Sequence, residues 1–393
     1  MPSINNGTAY TVVNSAYNQS VGKNAIATTD LEDFIDTGAA YSAIASIKEQ
    51  FTQALINVLA TNWFTDSSYR SQYRDQFFVD SREFGAIVQM ISAEAPAVTE
   101  SHAWQTFTSG SSTVGTYTVY IPVVDTKYYA KTISWELPVT VTYEQWDDAF
   151  KTGDAIADFV SYLLMVVDNA LVQHKENMDM LNRNNFMAEK IHYSTSPGSQ
   201  GVHVVNLLTD YNTEMGGNLA NVTDFFSSPD ALRYASGRIL EYKDYFKRQT
   251  SLFNTEQKVR FTPEDRIVLQ VLSYYERRFE SVAQSTTFHE AISALPGYES
   301  VPFWQGFGTA GAFSDISSIN VELGSDGTAV SKGGIVAFLC DKWAILHTIR
   351  KQRVAARNFD PEGLDMYFYQ FRDQYMNNLT MNAIVFVVEA PSP

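Results

Sequence analysis

The longest stretch with one uninterrupted helical period runs from Asp154 to Ile191 and contains neither Gly nor Pro. Its apolar residues recur at three- and four-residue spacings, which predicts a helix with one apolar stripe. The stripe comprises Ile156, Phe159, Val160, Leu163, Leu164, Val167, Leu171, Met178 and Leu181. Asp154 can cap this helix, and Ser196-Pro197-Gly198-Ser199 cannot continue it. At 1.5 Å per residue it would be roughly 55 Å long, so we expect it to act as a spine.

The segment before the spine helix has the alternation and composition of β structure. Thr, Val, Tyr, Ile and Trp dominate two runs, at 117–121 and 131–141, and the polar residues Asp125-Thr126-Lys127 lie between them. This pattern predicts a long β-hairpin with a turn at 125–127. The hairpin has no obvious sheet to join within its own chain, and an isolated two-stranded hairpin is marginally stable. We therefore expect it to need a partner.

Other elements follow from shorter patterns. Residues 1–36 are rich in Asn, Ser, Thr, Gly and Ala, and we expect an extended arm that is disordered or lies along another surface. Pro138 suits the edge of a sheet, because it cannot donate to a ladder. Helices are predicted at 37–61 and 228–253, and strands at 85–91, 201–208, 335–339, 366–371 and 383–388. Periodicity leaves 266–272 open between a buried strand and the start of a helix.

Composition limits the classes of protein that fit. With 393 residues, 45% of them hydrophobic, the chain can fill two or three domain cores. A formal charge of -16 and sparse Lys and Arg exclude a broad nucleic-acid-binding face, although local basic patches remain open. The single cysteine, Cys340, excludes an intrachain disulfide framework and a multi-cysteine zinc site. Its apolar neighbours predict a buried position in a strand.

The search for chemistry yields no catalytic, cofactor or metal site. Phosphate-loop, dinucleotide, Gly-x-Ser-x-Gly and His-Glu-x-x-His motifs are all missing, and the six histidines share no ligand spacing. An acidic chain with 13% aromatic residues fits a carbohydrate-active hydrolase with paired carboxylates, or a large interface rich in Tyr. We favour the interface, because no acid pair stands out. We find no signal peptide or membrane span, and therefore expect synthesis in a cytoplasm.

Two segments carry a resemblance to a known family. One is Tyr143-Glu144-Gln145-Trp146-Asp147-Asp148-Ala149-Phe150, which leads into the spine helix. The other comprises the C-terminal runs 338–346 and 383–388. Together with the order of arm, helix, hairpin, long helix, mixed α/β region and late strands, they make the whole chain resemble the Hong Kong 97-like major capsid proteins of tailed bacteriophages, particularly those of small short-tailed, podovirus-type phages.

The resemblance implies an α+β fold with an N-terminal arm, an extended β-hairpin loop, a spine helix, and peripheral and axial domains. On this chain it places the arm at 1–36, the first peripheral part at 37–103, the extended loop at 104–143, the spine helix at 144–195, the axial domain at 196–340 and the peripheral return strands at 341–393. The implied contacts between subunits are Lys127, Tyr128, Tyr129 and Lys131 near the hairpin tip, and Tyr10 and Tyr17 in the arm.

The implied function is self-assembly, as hexamers and pentamers, into an icosahedral shell around a double-stranded DNA genome, without enzymatic activity. The implied partners are copies of the chain, a separate scaffolding protein, a portal and weakly contacted DNA, with no membrane. The location would be the virion capsid, assembled in the host cytoplasm. Net negative charge agrees with a packaged genome that stays mobile. Two alternatives stay open: an encapsulin-type nanocompartment shell and the hydrolase.

Overall fold

The computed structural model describes residues 88–93, 124–129, 132–145, 153–285, 297–305, 315–323, 327–359 and 363–390. The predicted arm at 1–36 and the predicted helix at 37–61 lie outside these ranges, as do Tyr10, Tyr17 and Lys131. The chain divides into two compact units. The described part of unit 1 falls within Thr132–Asp179 and His347–Tyr375. That of unit 2 falls within Gly85–Lys131, Met180–Leu346 and Met376–Pro393.

The described residues include five α-helices of six residues or more, two 3-10 helices (Glu264–Arg266 and Lys342–Ala344) and twelve strands. The helices are α1 (Gly153–Thr195), α2 (Leu207–Met215), α3 (Val222–Ser227), α4 (Pro229–Phe246) and α5 (Ser273–Ser285). The strands are β1 (Val88–Ala93), β2 (Val124–Tyr129), β3 (Ile133–Thr142), β4 (Val204–Asn206), β5 (Ile267–Leu272), β6 (Glu299–Val301), β7 (Ile319–Glu322), β8 (Ala329–Lys332), β9 (Ile335–Asp341), β10 (Ile345–Phe359), β11 (Leu364–Asn377) and β12 (Ala383–Val387).

Unit 1 contains a three-stranded sheet in the order β10-β11-β3. Strand β3 runs antiparallel to β11 in unbroken register from Leu364↔Thr142 to Asp373↔Ile133. One face is closed by aromatic packing, because the Trp135 ring stacks on Phe371 at 4.1 Å and its Nε1 donates to the buried Asp373 carboxylate at 2.7 Å. Pro138 lies in β3, the edge strand of this sheet as described, as predicted.

Unit 2 is built on a five-stranded sheet in the order β4-β12-β9-β5-β6. The central strands β9 and β12 are buried at every position, which explains why both are continuous apolar runs rather than alternating ones. Cys340 is fully buried in β9, as predicted. Strand β5 resolves the ambiguity at 266–272, since it pairs with β9 along its length and with β6 at its end.

Helix α1 confirms the predicted spine, with ends one to four residues beyond the predicted ones. In unit 1 its stripe is buried at Val167 and Leu171, as expected. From Met180 onward, in unit 2, it is buried on nearly every side, where Phe186 packs edge-on to Phe338 of β9 at 6.0 Å. Leu181 is 48% exposed, so its assignment to the stripe is wrong.

One further prediction is wrong. Residues 125–127 form the middle of strand β2 and not a turn, because β2 pairs with β1. The predicted first hairpin arm at 117–121 lies outside the described residues, and the second, at 131–141, falls largely in β3, which pairs with β11. Strand β12 pairs with β9 and β4 in the sheet of unit 2, and the predicted domain bounds stay predictions. The strands predicted at 85–91, 335–339, 366–371 and 383–388 are confirmed, with shifted ends.

The helix predicted at 228–253 is confirmed as α4, which ends earlier, at Phe246. Its start follows the sequence signal, since the Ser228 hydroxyl accepts from the Ala231 backbone N–H and Pro229 occupies the first turn. The run at 201–208 is only part strand, because β4 ends at Asn206, whose side chain caps α2. None of the described helices is both long and apolar enough to cross a membrane.

Candidate functional site

Strands β1 and β2 form a two-stranded antiparallel ribbon in unit 2. Its register pairs Gln89 with Tyr128, Ile91 with Thr126, and Met90 with Lys127. Directly opposite residues of an antiparallel pair point to the same side, and successive residues alternate between sides. The ribbon therefore has two chemically different faces, an inner face that contacts the rest of unit 2 and an outer face.

The inner face is held by charged side chains. Lys127 Nζ lies 2.5 Å from Glu256 Oε1, and Lys258 Nζ lies 2.6 Å from Asp125 Oδ2. Lys258 also lies 2.8 Å from the second oxygen of Glu256, so four charges of alternating sign form one chain. Arg260 extends it by donating to the Ser92 hydroxyl at 2.7 Å. We call this set the ribbon latch.

Electrostatics agrees with the geometry of the latch. The hydrogen bond from Lys258 lowers the pKa of Asp125 below its usual value. Burial alone would raise the pKa of Glu256, but its hydrogen bonds from Lys127 and Lys258 lower it. Both carboxylates therefore stay charged at neutral pH. Each of these partly exposed pairs contributes about 0–1 kcal/mol, so the latch depends on several pairs acting together.

A buried asparagine positions Glu256 and Lys258, two latch residues that lie outside the ribbon. Asn254 is fully buried, and its amide donates to the Lys258 carbonyl at 2.7 Å while its oxygen accepts from the Lys258 N–H at 2.9 Å. This bracket closes the turn at 254–258, in which Gln257 adopts a positive φ of 53°. The turn thereby presents Glu256 and Lys258 to the ribbon.

The inner face also has less polar contacts. Tyr129 is partly buried, and its hydroxyl donates to the Asn377 carbonyl at 3.4 Å. Burial, with the negative charges of Glu256 and Asp125, raises the pKa of Tyr129 to about 12, so the phenol keeps its proton. Asn378 contacts the Met90 sulfur at 3.8 Å. These contacts fix which face of the ribbon points outward.

The outer face is apolar and exposed. Ile91 and Tyr128 are each 65% exposed, and Val124 is 58% exposed. The Gln89 amide lies 3.4 Å from the Tyr128 hydroxyl on this face. Ile91, Val124 and Tyr128 are neighbours on the paired strands. Apolar surface of this kind marks a protein interaction site more often than a free surface.

The predicted contact residues divide accordingly. Tyr128 lies on the outer face, where it is available to another chain. Lys127 and Tyr129 point inward and contact Glu256 and Asn377 of their own chain. Lys131, Tyr10 and Tyr17 fall outside the described residues. Sequence reasoning missed Ile91 and Val124, which the pairing of 88–93 with 124–129 would have placed beside Tyr128.

The described residues offer no evident chemical centre. No group of His, Cys, Asp and Glu side chains among them could hold a metal ion. A tight cluster on α2 and α4 combines Arg238 with the carboxylates of Asp210, Glu214 and Glu241, at 2.6 to 3.5 Å. Its arginine is engaged by these ion pairs, so the cluster is a surface network that ties α2 to α4.

Comparison with known proteins places these features in context. A family model described as Phi29-like phage major capsid protein matches residues 11–387. No curated protein matches the chain.

Among 120 matching chains of solved structures, one from the structure of the head fiber and inner core protein gp22 of native bacteriophage P68 is 11% identical with a TM-score of 0.50, over 81% of this chain and 84% of that one. A chain from the capsid structure of Staphylococcus phage Andhra is 10% identical with a TM-score of 0.47, over 79% and 83%. One from Mycobacterium phage Adephagia is 12% identical with a TM-score of 0.42, over 83% and 92%.

Proposed function

Because the chain belongs to the Phi29-like phage major capsid protein family, whose model spans residues 11–387, we propose that copies of it assemble through the outer face of the β1–β2 ribbon. The family makes the chain a shell-forming structural protein of the phage capsid, and the predicted Hong Kong 97-like α+β fold is confirmed. The encapsulin and hydrolase alternatives have no support. The shell is icosahedral, encloses double-stranded DNA and has no catalytic role in our proposal.

The observation that carries the proposed interface is the two-faced ribbon. A two-stranded ribbon is marginal by itself, and here its inner face is satisfied by the latch while Ile91, Val124 and Tyr128 are exposed on the other side. A neighbouring subunit that covers this outer face would remove apolar surface from water, which stabilises association by about 25 cal/mol per Å². Lys127 of the latch and Tyr129 beside it then act within the subunit, by orienting the ribbon.

The division into units supports a domain assignment. We assign unit 1, with the β10-β11-β3 sheet, to the peripheral domain, and the five-stranded sheet of unit 2 to the axial domain. We propose that the connection between β1 and β2, whose two ends lie side by side because Ala93 pairs with Val124, contacts a neighbouring subunit. We further propose a separate scaffolding protein, a portal, and assembly in the host cytoplasm. The contacts of Lys131, Tyr10 and Tyr17 stay predictions.

A charge placed on the outer face tests the interface. Ile91→Lys should leave a folded, soluble subunit that fails to form shells, because the lysine would be buried against the neighbour. Met215→Lys is the matched control, since Met215 is 64% exposed and belongs to α2, which is distant from β1 and β2 in the sequence. Each variant is expressed with the phage's scaffolding protein and examined by sedimentation and negative-stain electron microscopy. Shells of Ile91→Lys at the yield of the control would refute the proposed interface.

A shortened connection tests the loop assignment. Residues 96–121 are replaced by a short Gly-Ser turn, which the pairing of Ala93 with Val124 permits without moving either strand. We expect a soluble subunit with an unchanged circular dichroism spectrum that no longer assembles. A deletion reaching into β3 is unsuitable, because β3 pairs with β11 throughout. If the shortened chain forms normal shells, the connection between β1 and β2 is not part of the interface between subunits.

A further inference from the structure

The exposed face of the unit 1 sheet contains a hollow of about 490 Å³. Ser134 and Glu136 of β3 line it, together with Gln370 and Arg372 of β11 and Arg353 of β10. The register pairs Ser134 with Arg372 and Glu136 with Gln370, so these side chains share one face of the sheet. Trp135 and Phe371, which stack on each other, also line the hollow.

Two guanidinium groups stand at this hollow. Arg353 and Arg372 are both exposed, and within the described part of the chain neither makes a hydrogen bond or an ion pair. Glu136 is the one carboxylate in the lining, so two positive charges face one negative charge. Strand β10 itself contains Arg350, Lys351, Arg353 and Arg357 and no acidic residue. The sequence of β10 is therefore basic, in a chain whose net charge is -16.

We propose that this face, formed by Arg353, Arg372, Gln370 and Ser134, binds phosphate groups of packaged double-stranded DNA. The proposal rests on the shell function above. A guanidinium presents a planar fork of donors that matches phosphate oxygens, and neutral Gln and Ser side chains also donate to DNA backbones. Since both guanidinium groups lack partners in the described residues, binding would break no intramolecular ion pair.

Glu136 makes each contact weak. Its carboxylate lies in the same lining as the two arginines and repels an approaching phosphate, so a single subunit binds DNA with low affinity. A shell repeats the face in every subunit, and many weak contacts to one continuous polyanion add up to stable retention. Each contact still exchanges readily, which lets the genome slide. A shell of negatively charged subunits can thus attract its packaged DNA locally, at this face.

Binding to a labelled duplex tests the proposal. Full-length unassembled chain is titrated into a fluorescent duplex of about 25 base pairs, followed by anisotropy over roughly 20 to 200 mM NaCl. The double variant Arg353→Gln/Arg372→Gln should bind about tenfold more weakly at the low-salt end, and the slope of log affinity against log salt should fall in size by about 1 for each guanidinium lost. Glu136→Gln should bind about threefold more tightly, because it removes the repelling charge.

A charge-matched control separates a site from overall charge. Arg233→Gln removes one positive charge from α4, where the Arg233 side chain is 51% exposed. It should change the affinity by less than about twofold. The single variants Arg353→Gln and Arg372→Gln are measured beside it. If the double variant keeps the affinity and salt slope of the wild type, or if Arg233→Gln weakens binding as much as either of these single variants, the proposal is wrong.

Competition identifies the source of the anion. Unlabelled duplex should displace the labelled one at lower phosphate concentration than inorganic phosphate does. Poly-glutamate is compared with unlabelled duplex at the same concentration of negative charge. If poly-glutamate displaces the labelled duplex more effectively, the face binds an acidic protein segment and the proposal is wrong. Shell formation by the double variant separates the DNA-binding proposal from the shell function, since we expect this variant to form shells that bind less DNA. Wild-type chain that forms no shells refutes the shell function instead, and shells lost only in the double variant would make this face an interface between subunits.

Discussion

Lys190 is a charged residue whose position no periodicity predicts. It lies on α1 among apolar neighbours and is fully buried, and its Nζ donates to the carbonyls of Phe253, Leu379 and Met381 at 3.1 to 3.4 Å. Burial lowers the pKa of Lys190 to about 7. One amine thus satisfies three backbone acceptors that belong to two loops of unit 2, and it ties both loops to the helix.

Removing that amine should be costly. In Lys190→Met the side chain keeps its length but loses all three hydrogen bonds of the amine. The carbonyls of Phe253 and Leu379 keep the backbone N–H groups of Ala383 and Thr255 as donors, whereas the Met381 carbonyl loses its donor. We therefore expect a loss of roughly 1 to 3 kcal/mol. The measurement is urea unfolding of the soluble chain at about pH 6, below the pKa of about 7, where the amine is charged. Lys175→Met, at a partly exposed position of the same helix, should change the stability far less. Equal stabilities of the two variants would contradict the bracing role.

His203 should make unit 2 sensitive to acid. It is 2% exposed, its Nε2 donates to the Gln200 carbonyl at 3.1 Å, and Nδ1 has no partner among the described residues. Burial, and then the charge of Lys190, lower the pKa of His203 to about 4. In the unfolded chain it is about 6.5, so the unfolded state binds more protons between these values. Stability therefore falls as the pH falls from about 6.5 to about 4.

The expected contribution is a slope of up to about 1.4 kcal/mol per pH unit in that window. His203→Gln keeps a donor for Gln200 and should flatten the slope. His192→Gln, at a partly exposed position near the end of α1, should leave it unchanged. Urea midpoints between about pH 4 and 7 measure both. An identical slope in His203→Gln and the wild type would show that other groups cause the acid sensitivity.

At the scale of elements, patterns were reliable where burial is periodic or complete. The spine helix, the fully buried β9 and β12, and the Ser228 cap of α4 could all be predicted, because each depends on local composition. Strand β2 could not. Asp125-Thr126-Lys127 has the composition of a turn, but β1 pairs with it and Glu256 and Lys258 satisfy its charges. Its conformation depends on β1, which precedes it by more than thirty residues, and on charge partners more than a hundred residues further along the chain.

The candidate site could be predicted only in part for the same reason, because it depends on the pairing of distant strands. Tyr128 was named as a contact because the family resemblance placed it near the tip of an extended loop, and it lies on the outer face of the ribbon. The opposite orientations of Lys127 and Tyr129 depend on the ribbon register, which needs β1 as a reference. The hollow at Arg353 and Arg372 likewise arises only when β10, β11 and β3 lie side by side.

A helix break tests the spine as an element. Val166 is 44% exposed in the middle of the unit 1 part of α1, so its side chain contributes little packing. Val166→Pro removes one backbone hydrogen bond and clashes with the preceding turn, and should cost about 3 kcal/mol or more. Val166→Ala at the same position should be nearly neutral. Urea unfolding gives both values, and shell yield should fall for the proline variant alone. A proline variant as stable as the alanine variant would mean that the helix does not need continuity there.

At the scale of the whole molecule, net charge opposes assembly and the apolar ribbon face favours it. Each subunit carries a formal charge of -16, so copies repel one another, whereas contact through Ile91, Val124 and Tyr128 depends little on salt. Salt therefore favours assembly by screening the repulsion between subunits. DNA binding at the arginine face weakens as salt rises, because ions compete for the phosphate contacts. Assembly and DNA retention should therefore respond to salt in opposite directions.

Raising the salt should accelerate shell formation. At about 10 mM salt the screening length is about 30 Å, and at about 0.1 M it falls to about 10 Å, which shortens the range of repulsion between subunits. Light scattering of chain plus scaffolding protein should show faster assembly at the higher salt. Arg353→Gln/Arg372→Gln makes the subunit two charges more negative and should need more salt to reach the wild-type rate. Slower assembly at higher salt would show instead that attraction between opposite charges on neighbouring subunits, rather than the apolar ribbon face, drives the shell together.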